Sequence, residues 1–416
     1  MIDQLEMNDK SLYQKILGIS FPWEVGGVDV DIKKNRVIVS LNKISGVDLP
    51  CPHCNKYYPI YDNIARSWRH LDTCQLETII DGFIPRVSCE EHGVSQIAVP
   101  WAESNSSFTA LFEKVVIDWL KVADKKSVAR MLRISWDQAD GIQSRAVKRG
   151  LARREHKKVE HLGIDETAYK KRHDYVTVIM DKERGIVLDV LDDRKKGTVL
   201  EYFDDWSDDQ KSDLLAFSMD MWPAYIESVK ETFPDASDKI CFDKFHVAQK
   251  LGEGVDKTRR TEMKTLASES LELLKGSKFD WLANSEELDN RSRREFMKIT
   301  RMSFKTSRAW SMKETANKIW SLKDIEKTQK SWKKLLRWMK LSNIPPMIKV
   351  GKTIENHLWG IINAAKHGVS NAALESMNTK IQKIKKRACG FRNKDRFRDA
   401  ILFNFGGLDL YPRCGR

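Results

Sequence analysis

Three acidic side chains far apart in the chain, Asp165, Asp220 and Glu375, have the type and the settings that a metal-dependent phosphoryl transfer needs. Mg²⁺ or Mn²⁺ prefers hard anionic oxygen and keeps positions open for water and phosphate, so carboxylates hold it and neutral Asn or Gln does not. Two such ions about 3.5–4 Å apart activate a water or a 3′-hydroxyl and stabilise the departing oxygen of an in-line displacement. The chain carries 59 acidic residues. An isolated Asp at a strand end is commonly a turn residue. The elements that carry these three side chains must therefore decide.

Val159–Ile164 reads as a short strand that delivers Asp165, and Leu214–Met219 as an apolar strand that delivers Asp220. Glu375 falls on a helix predicted over Asn371–Lys386. Tyr175–Met180 and Ile186–Leu191 are β-branched runs joined by a turn that ends in Gly185, which predicts a hairpin. A helix over Lys196–Trp206, a helix opening at Pro223 and a strand over Lys239–Phe242 complete the order β-β-β-α-β-α-β. That order is the ribonuclease-H-like one, whose first and fourth strands lie side by side and would bring Asp165 next to Asp220. Glu166 would point to the opposite sheet face if its strand continued, so it is not counted as a metal ligand.

Five ordered stretches carry a resemblance. They are Gly163-Ile164-Asp165-Glu166-Thr167-Ala168-Tyr169-Lys170-Lys171-Arg172-His173, Asp220-Met221-Trp222-Pro223-Ala224-Tyr225, Phe242-Asp243-Lys244-Phe245-His246-Val247, Asn371-Ala372-Ala373-Leu374-Glu375-Ser376-Met377-Asn378, and the run from Ile384 to Asn393. Over almost its whole length the chain resembles the DDE transposases of bacterial insertion sequences, in the branch called the ISL-three family. Ser376 departs from the family, which more often has Gly there; on a helix the change is mild and leaves Glu375 in place. The resemblance implies cut-and-paste transposition, a ribonuclease-H-like core with an all-helical insertion, an N-terminal zinc finger and a helix-turn-helix.

Composition agrees. Lys and Arg number 72 against 59 acids, a net charge of +13, which favours phosphate-rich partners and above all nucleic acid. No run of 18 apolar residues and no signal-like opening is present, so a cytoplasmic protein with no membrane partner is expected. Seven cysteines without a secretion signal argue for reduced thiols and metal ligation.

Cys51-Pro52-His53-Cys54 and Cys89-Glu90-Glu91-His92 have the spacing of two zinc knuckles. Tetrahedral Zn²⁺ takes thiolate and imidazole, which makes Cys51, Cys54, Cys89 and His92 the preferred set for one structural ion. His53, His70 and Cys74 compete for the same role. The resembled family carries such paired knuckles at its N-terminus.

After Trp101 the pattern turns helical. Phe108, Leu111, Phe112, Val115, Val116 and Trp119 recur as one apolar face. A second helix over about Asp124–Leu132 and a third over Trp136–Arg149, capped by Ser135, make a helix-turn-helix. Its third helix offers Gln138, Gln143, Ser144, Arg145, Lys148 and Arg149 to base edges or phosphates, and Arg153, Arg154, Lys157 and Lys158 continue as a basic linker. A bland three-helix bundle is the alternative.

The 154 residues between Asp220 and Glu375 require an insertion, and the pattern from His246 to Ser370 is helical. Trp332, Leu335, Leu336 and Met339 make one face, with Lys330, Lys333, Lys334, Arg337 and Lys340 spread over the rest. Most of the insertion's tryptophans belong in the core, and one or two are candidates for stacking on DNA, as in other transposases with helical insertions. Asp243 and His246 resemble the acidic residue and His that recur at the active-site edge of such enzymes; a surface Asp with a core His is the alternative. Asn371, Asn378, Thr379, Gln382 and Lys386 share the face of Glu375 and would line the strand being cut, with Lys380, Lys383, Lys385 and Arg387 widening the basic stripe. Asn371 is alternatively only a helix cap.

The expected chain is a multidomain α+β protein. Residues 1–100 hold the zinc-binding module and 101–158 the helix-turn-helix with its basic linker. Residues 159–246 begin the ribonuclease-H-like α/β catalytic core, 247–370 form the all-α insertion and 371–416 complete the core. The reading is a transposase that binds double-stranded DNA at terminal inverted repeats and at the target. Pairing two transposon ends implies a homodimer or higher oligomer on DNA. A nuclease or resolvase of the same fold that cleaves without joining, and a non-catalytic DNA-binding regulator, are the rival readings.

Overall fold

The computed structural model describes residues 9–155, 157–170, 174–265, 274–275, 277–283, 290–301, 304–369 and 372–413. Asn371, Ser370 and the run Lys171-Arg172-His173, all named above, lie outside them. The chain divides into two compact units, Met1–Glu155 with Gly407–Arg416, and His156–Gly406.

The first unit opens with α1 (Asp9–Ile16), then β1 (Trp23–Asp31), β2 (Arg36–Lys43), the short pair β3 (Leu49–Pro50) and β4 (Tyr57–Tyr58), β5 (Ile60–Arg69), β6 (Glu77–Cys89) and β7 (Gly93–Gln96). The main sheet runs β1-β2-β6-β5, with β7 on β6. Trp101 anchors its core, edge-on to Trp23 at 5.0 Å and to Trp68 at 5.5 Å. Helices α2 (Ala110–Val122), α3 (Lys125–Met131) and α4 (Trp136–Ala152) follow, capped by the side chains of Thr109, Asp124 and Ser135. The buried face of α2 is Phe112, Glu113, Val116, Ile117 and Leu120. Leu111 and Trp119, expected inward, are exposed. Buried Glu113 shifts that face, because Arg145 and Arg149 of α4 both pair with it.

The last residues also differ from expectation. Gly407 onward joins this first unit rather than the second. Gly150 on α4 admits the tail, since a Cβ there would lie 2.6 Å from Leu408.

The second unit contains β8 (His161–Lys170), β9 (Asp174–Asp181), β10 (Ile186–Leu191), α5 (Lys196–Asp204), α6 (Asp208–Asp213), β11 (Ala216–Met219), α7 (Pro223–Thr232), α8 (Ala236–Lys239) and β12 (Ile240–Phe242). Its sheet order is β10-β9-β8-β11-β12; β8, β11 and β12 are parallel and β9 is antiparallel to both neighbours. Strand β8 does not stop at Asp165 but runs to Lys170, paired with β9 throughout.

Helices α9 (Lys244–Glu262), α10 (Lys278–Leu282), α11 (Asn290–Thr300), α12 (Lys305–Ile319), α13 (Ile325–Lys340), α14 (Pro345–Asn356) and α15 (Leu358–His367) come next, before α16 (Ala372–Arg387) and α17 (Lys394–Phe405). One continuous core joins sheet residues such as Ile164 and Phe217 to Trp281, Trp310 and Trp332 of the helical segment. The segment is therefore part of the second unit rather than a body of its own. Among the described tryptophans of this helical segment, Trp338 is exposed and the others are buried or half-buried.

Candidate active site and metal centre

Parallel register fixes the central geometry. Met219 lies opposite Ile164 on β8 and Phe242 on β12. The next residues, Asp165, Asp220 and Asp243, therefore form a row across three neighbouring strands, because each is one step beyond an aligned triple. His246, on the first turn of α9, bridges two of them: its Nδ1 is 3.2 Å from Asp220 Oδ1 and its Nε2 is 3.8 Å from Asp243 Oδ2.

The row is short of positive charge. Burial raises the Asp165 carboxyl to about 6, with Asp220 and Glu166 pushing the same way and the Glu166 amide and His246 opposing. Burial also raises Asp243, against the lowering effect of the backbone N–H groups of Phe245 and His246. Asp243 Oδ2 is buried without a hydrogen-bond partner, an oxygen that a cation would satisfy.

Helix α16 covers this face of the sheet. Gly163 permits the approach, since a Cβ there would come within 2.8 Å of Leu374. Asn378 Nδ2 donates to Asp165 Oδ2 at 2.8 Å, and Gln382 Nε2 donates to Thr167 Oγ1 at 2.9 Å. Lys385 Nζ donates to the Ala168 carbonyl at 2.6 Å. Asn378 and Gln382 are thus half-buried and hydrogen-bonded to β8. Lys383, Lys386 and Arg387 are exposed. Glu375 is exposed in the first turn of α16, its carboxyl raised by partial burial and by Asp243.

Glu166 takes the opposite face, where Arg194 pairs with it at 2.8 Å. The Arg194 guanidinium lies over the rings of Tyr175 and Trp222.

In the first unit the ligand atoms of Cys51, Cys54, Cys89 and His92 all lie within 4.8 Å of one another. Among the described residues this is the one such group already close enough to share an ion; Asp165, Asp220 and Glu375 are not gathered to that degree. Three thiols and an imidazole at the mouths of β3–β4 and β6–β7 suit tetrahedral Zn²⁺. The competitors lie outside this group. His53 stacks on His92 at 5.1 Å. His70 is buried with Nδ1 on Thr109 Oγ1, its imidazole lowered to about 4 by burial, and Cys74 is exposed.

On α4 the exposed side chains include Gln138, Ser144 and Lys148. The Gln138 side chain also closes a capping box with Ser135. Gln143 and Arg149 must be removed from the base-reading set. Gln143 is buried on the Ala139–Ala146 side of the helix, and buried Arg149 pairs with Glu103 and Glu113 and donates to the Leu410 carbonyl. Arg153 is likewise engaged by Asp409 and the Tyr411 carbonyl. Arg145 pairs with Glu113 at 2.5 Å yet stays partly exposed, and Arg154 is partly exposed.

Comparison with known proteins follows this layout. A family profile described as Transposase matches residues 162–401, spanning the acidic row and Glu375. The helix-turn-helix domain of transposase family ISL3 matches residues 97–147, and the zinc-finger of transposase IS204/IS1001/IS1096/IS1165 matches residues 49–92. The chain is 28% identical over 420 residues to the transposase for insertion sequence element IS1557 of Mycobacterium tuberculosis, covering 93% of each. It is 21% identical over 362 residues to the transposase for insertion sequence element IS1001 of Bordetella parapertussis, covering 86% of this chain and 89% of that one. With its zinc ribbon, its helix-turn-helix and a transposase domain that spans more than half its length, the chain belongs to the ISL3 family of insertion-sequence transposases.

Proposed function

We propose that this chain is a cut-and-paste DNA transposase whose second unit is a ribonuclease-H-like core with a helical insertion. The carrying observation is the row of Asp165, Asp220 and Asp243, with Glu375 supplied by the helix that covers it. Carboxylate oxygens are hard donors that suit Mg²⁺ or Mn²⁺, and the Asp243 oxygen that accepts no hydrogen bond and the buried Asp165 carboxyl both favour a cation there. Asp165, Asp220 and Glu375 would hold two ions. Bound there, those ions would supply activation of the attacking hydroxyl and stabilisation of the departing oxygen.

The chain's own groups do the rest. Asn378 orients the Asp165 carboxylate, and His246 fixes those of Asp220 and Asp243. Exposed Lys383, Lys386 and Arg387 attract the phosphates of the strand being cut. The zinc ribbon and the α4 face bearing Gln138, Arg145 and Lys148 recognise the terminal inverted repeats, with Arg154 on the backbone. Two ends held together require at least two copies of the chain. No described helix is long and apolar enough to cross a membrane, and a DNA substrate places the work at the nucleoid.

Joining is the test that separates this reading from a nuclease. The protein is given a pre-cut element end, a target plasmid and Mg²⁺. Covalently joined product is expected; cleavage with no joining contradicts transposition.

A further inference from the structure

Helix α13 turns its apolar face inward, with Trp332, Leu335, Leu336 and Met339 buried. Its other face carries Lys327, Lys330, Lys333, Lys334, Arg337 and Lys340, all exposed, against one acid, Glu326. Six cations less one anion give +5 on a single helix, in a chain whose net charge is +13. Lys327 and Lys330 are partly compensated by Asp324 and Glu326. Lys333, Lys334, Arg337 and Lys340 make no ion pair among the described residues.

Like charges at this spacing repel, so the stripe is unfavourable to the isolated helix. Attraction to the helix C-terminus accounts for Arg337 and Lys340 in the last turn but not for Lys333 and Lys334. A membrane surface is a poor match, because the apolar face of the helix is buried in the core and Trp338 and Leu341 by themselves do not make a face to insert. From Lys330 to Lys340 the stripe is about 15 Å long. Projected on the duplex axis, at about 3.4 Å per phosphate of each strand, that length spans about four phosphates of one strand. Exposed Leu341 and Trp338 give the stripe an apolar edge.

We propose that the exposed face of α13, centred on Lys333, Lys334 and Arg337, is a DNA-docking surface that grips the phosphate backbone of duplex DNA independently of sequence. This rests on the transposase reading and extends it to a helix other than α4 and α16.

The test is binding of the full chain to a mixed-sequence duplex across a salt titration without divalent cation, so that failure of cleavage leaves it standing. Lys333→Gln, Lys334→Gln and Arg337→Gln are combined, with Lys327→Gln/Lys330→Gln as the control whose charges are already compensated. The triple variant is expected to bind at least about ten-fold more weakly and to flatten the log K against log salt slope by about two to three, while the control changes it by less than half as much. These positions are exposed, so an unchanged melting curve verifies the fold. An unchanged slope in the triple variant, or an equal loss in the control, overturns the proposal. Absence of duplex binding by the wild type overturns it together with the transposase reading.

Discussion

Asn378 on α16 donates a 2.8 Å hydrogen bond to Asp165 on β8, tying the helix that carries Glu375 to the first carboxylate of the row. A side chain that orients a metal-binding carboxylate typically alters metal affinity or activity by 10–100-fold when removed.

Asn378→Ala is therefore expected to raise the Mg²⁺ concentration needed for half-maximal cleavage by roughly 10-fold or more, with duplex binding unchanged. A Mg²⁺ titration of end cleavage measures it. An equal loss of DNA binding would return Asn378 to the substrate-contact role that its helical spacing suggests.

Much of the site was legible because β-branched and apolar runs bracket it. Val178–Met180 and Phe217–Met219 are buried strands of the expected type. The continuation of β8 was not legible. Glu166, Thr167 and Lys170 interrupt the apolar run, and pairing with β9, which the sequence does not announce, holds them extended. The large N-terminal sheet was hidden for a related reason: β5 is exposed or half-exposed along most of its length, and its residues do not alternate between apolar and polar. Gln143 was misplaced although helical period puts it with Ala139 and Ala146. Arg149 could not be placed from sequence at all, since its partners Glu103, Glu113 and Leu410 are distant.

Arg149 and Lys148 consequently separate stability from binding. Arg149→Ala leaves Glu113 buried with one partner fewer, and a cost of about 3 kcal/mol is expected in chemical denaturation. Lys148→Ala at an exposed position should leave stability within about 0.5 kcal/mol. It should instead weaken DNA binding and lower the salt slope by about 1. A reversal of the two phenotypes would place the recognition face on the other side of α4.

Asp165 makes stability depend on pH in the metal-free protein. Its carboxyl is raised by burial from 3.8 to about 6, so the folded state favours the protonated form. The associated stabilisation is fully present below pH 3.8 and is lost as pH rises through about 6. Asp165→Asn should flatten this part of the thermal-melting profile and raise the melting temperature at pH 7 without divalent cation. A profile identical to the wild type would show that the row carries no such strain.

Removal of zinc addresses the first unit. One equivalent per chain is expected from elemental analysis, and Cys89→Ser should abolish it and lower the melting temperature. Cys74→Ser, at an exposed position, should retain the ion. Retention by Cys89→Ser would point to a different ligand set.

The most direct measurement is cleavage of DNA carrying both element ends, in Mg²⁺ or Mn²⁺, by the wild type and by Glu375→Ala. Loss of cleavage by at least about 1,000-fold with end binding retained is the predicted result, because the variant keeps its DNA-contact surfaces and loses one oxygen donor to the ions. Undiminished cleavage by Glu375→Ala would contradict a site built from Asp165, Asp220 and Glu375.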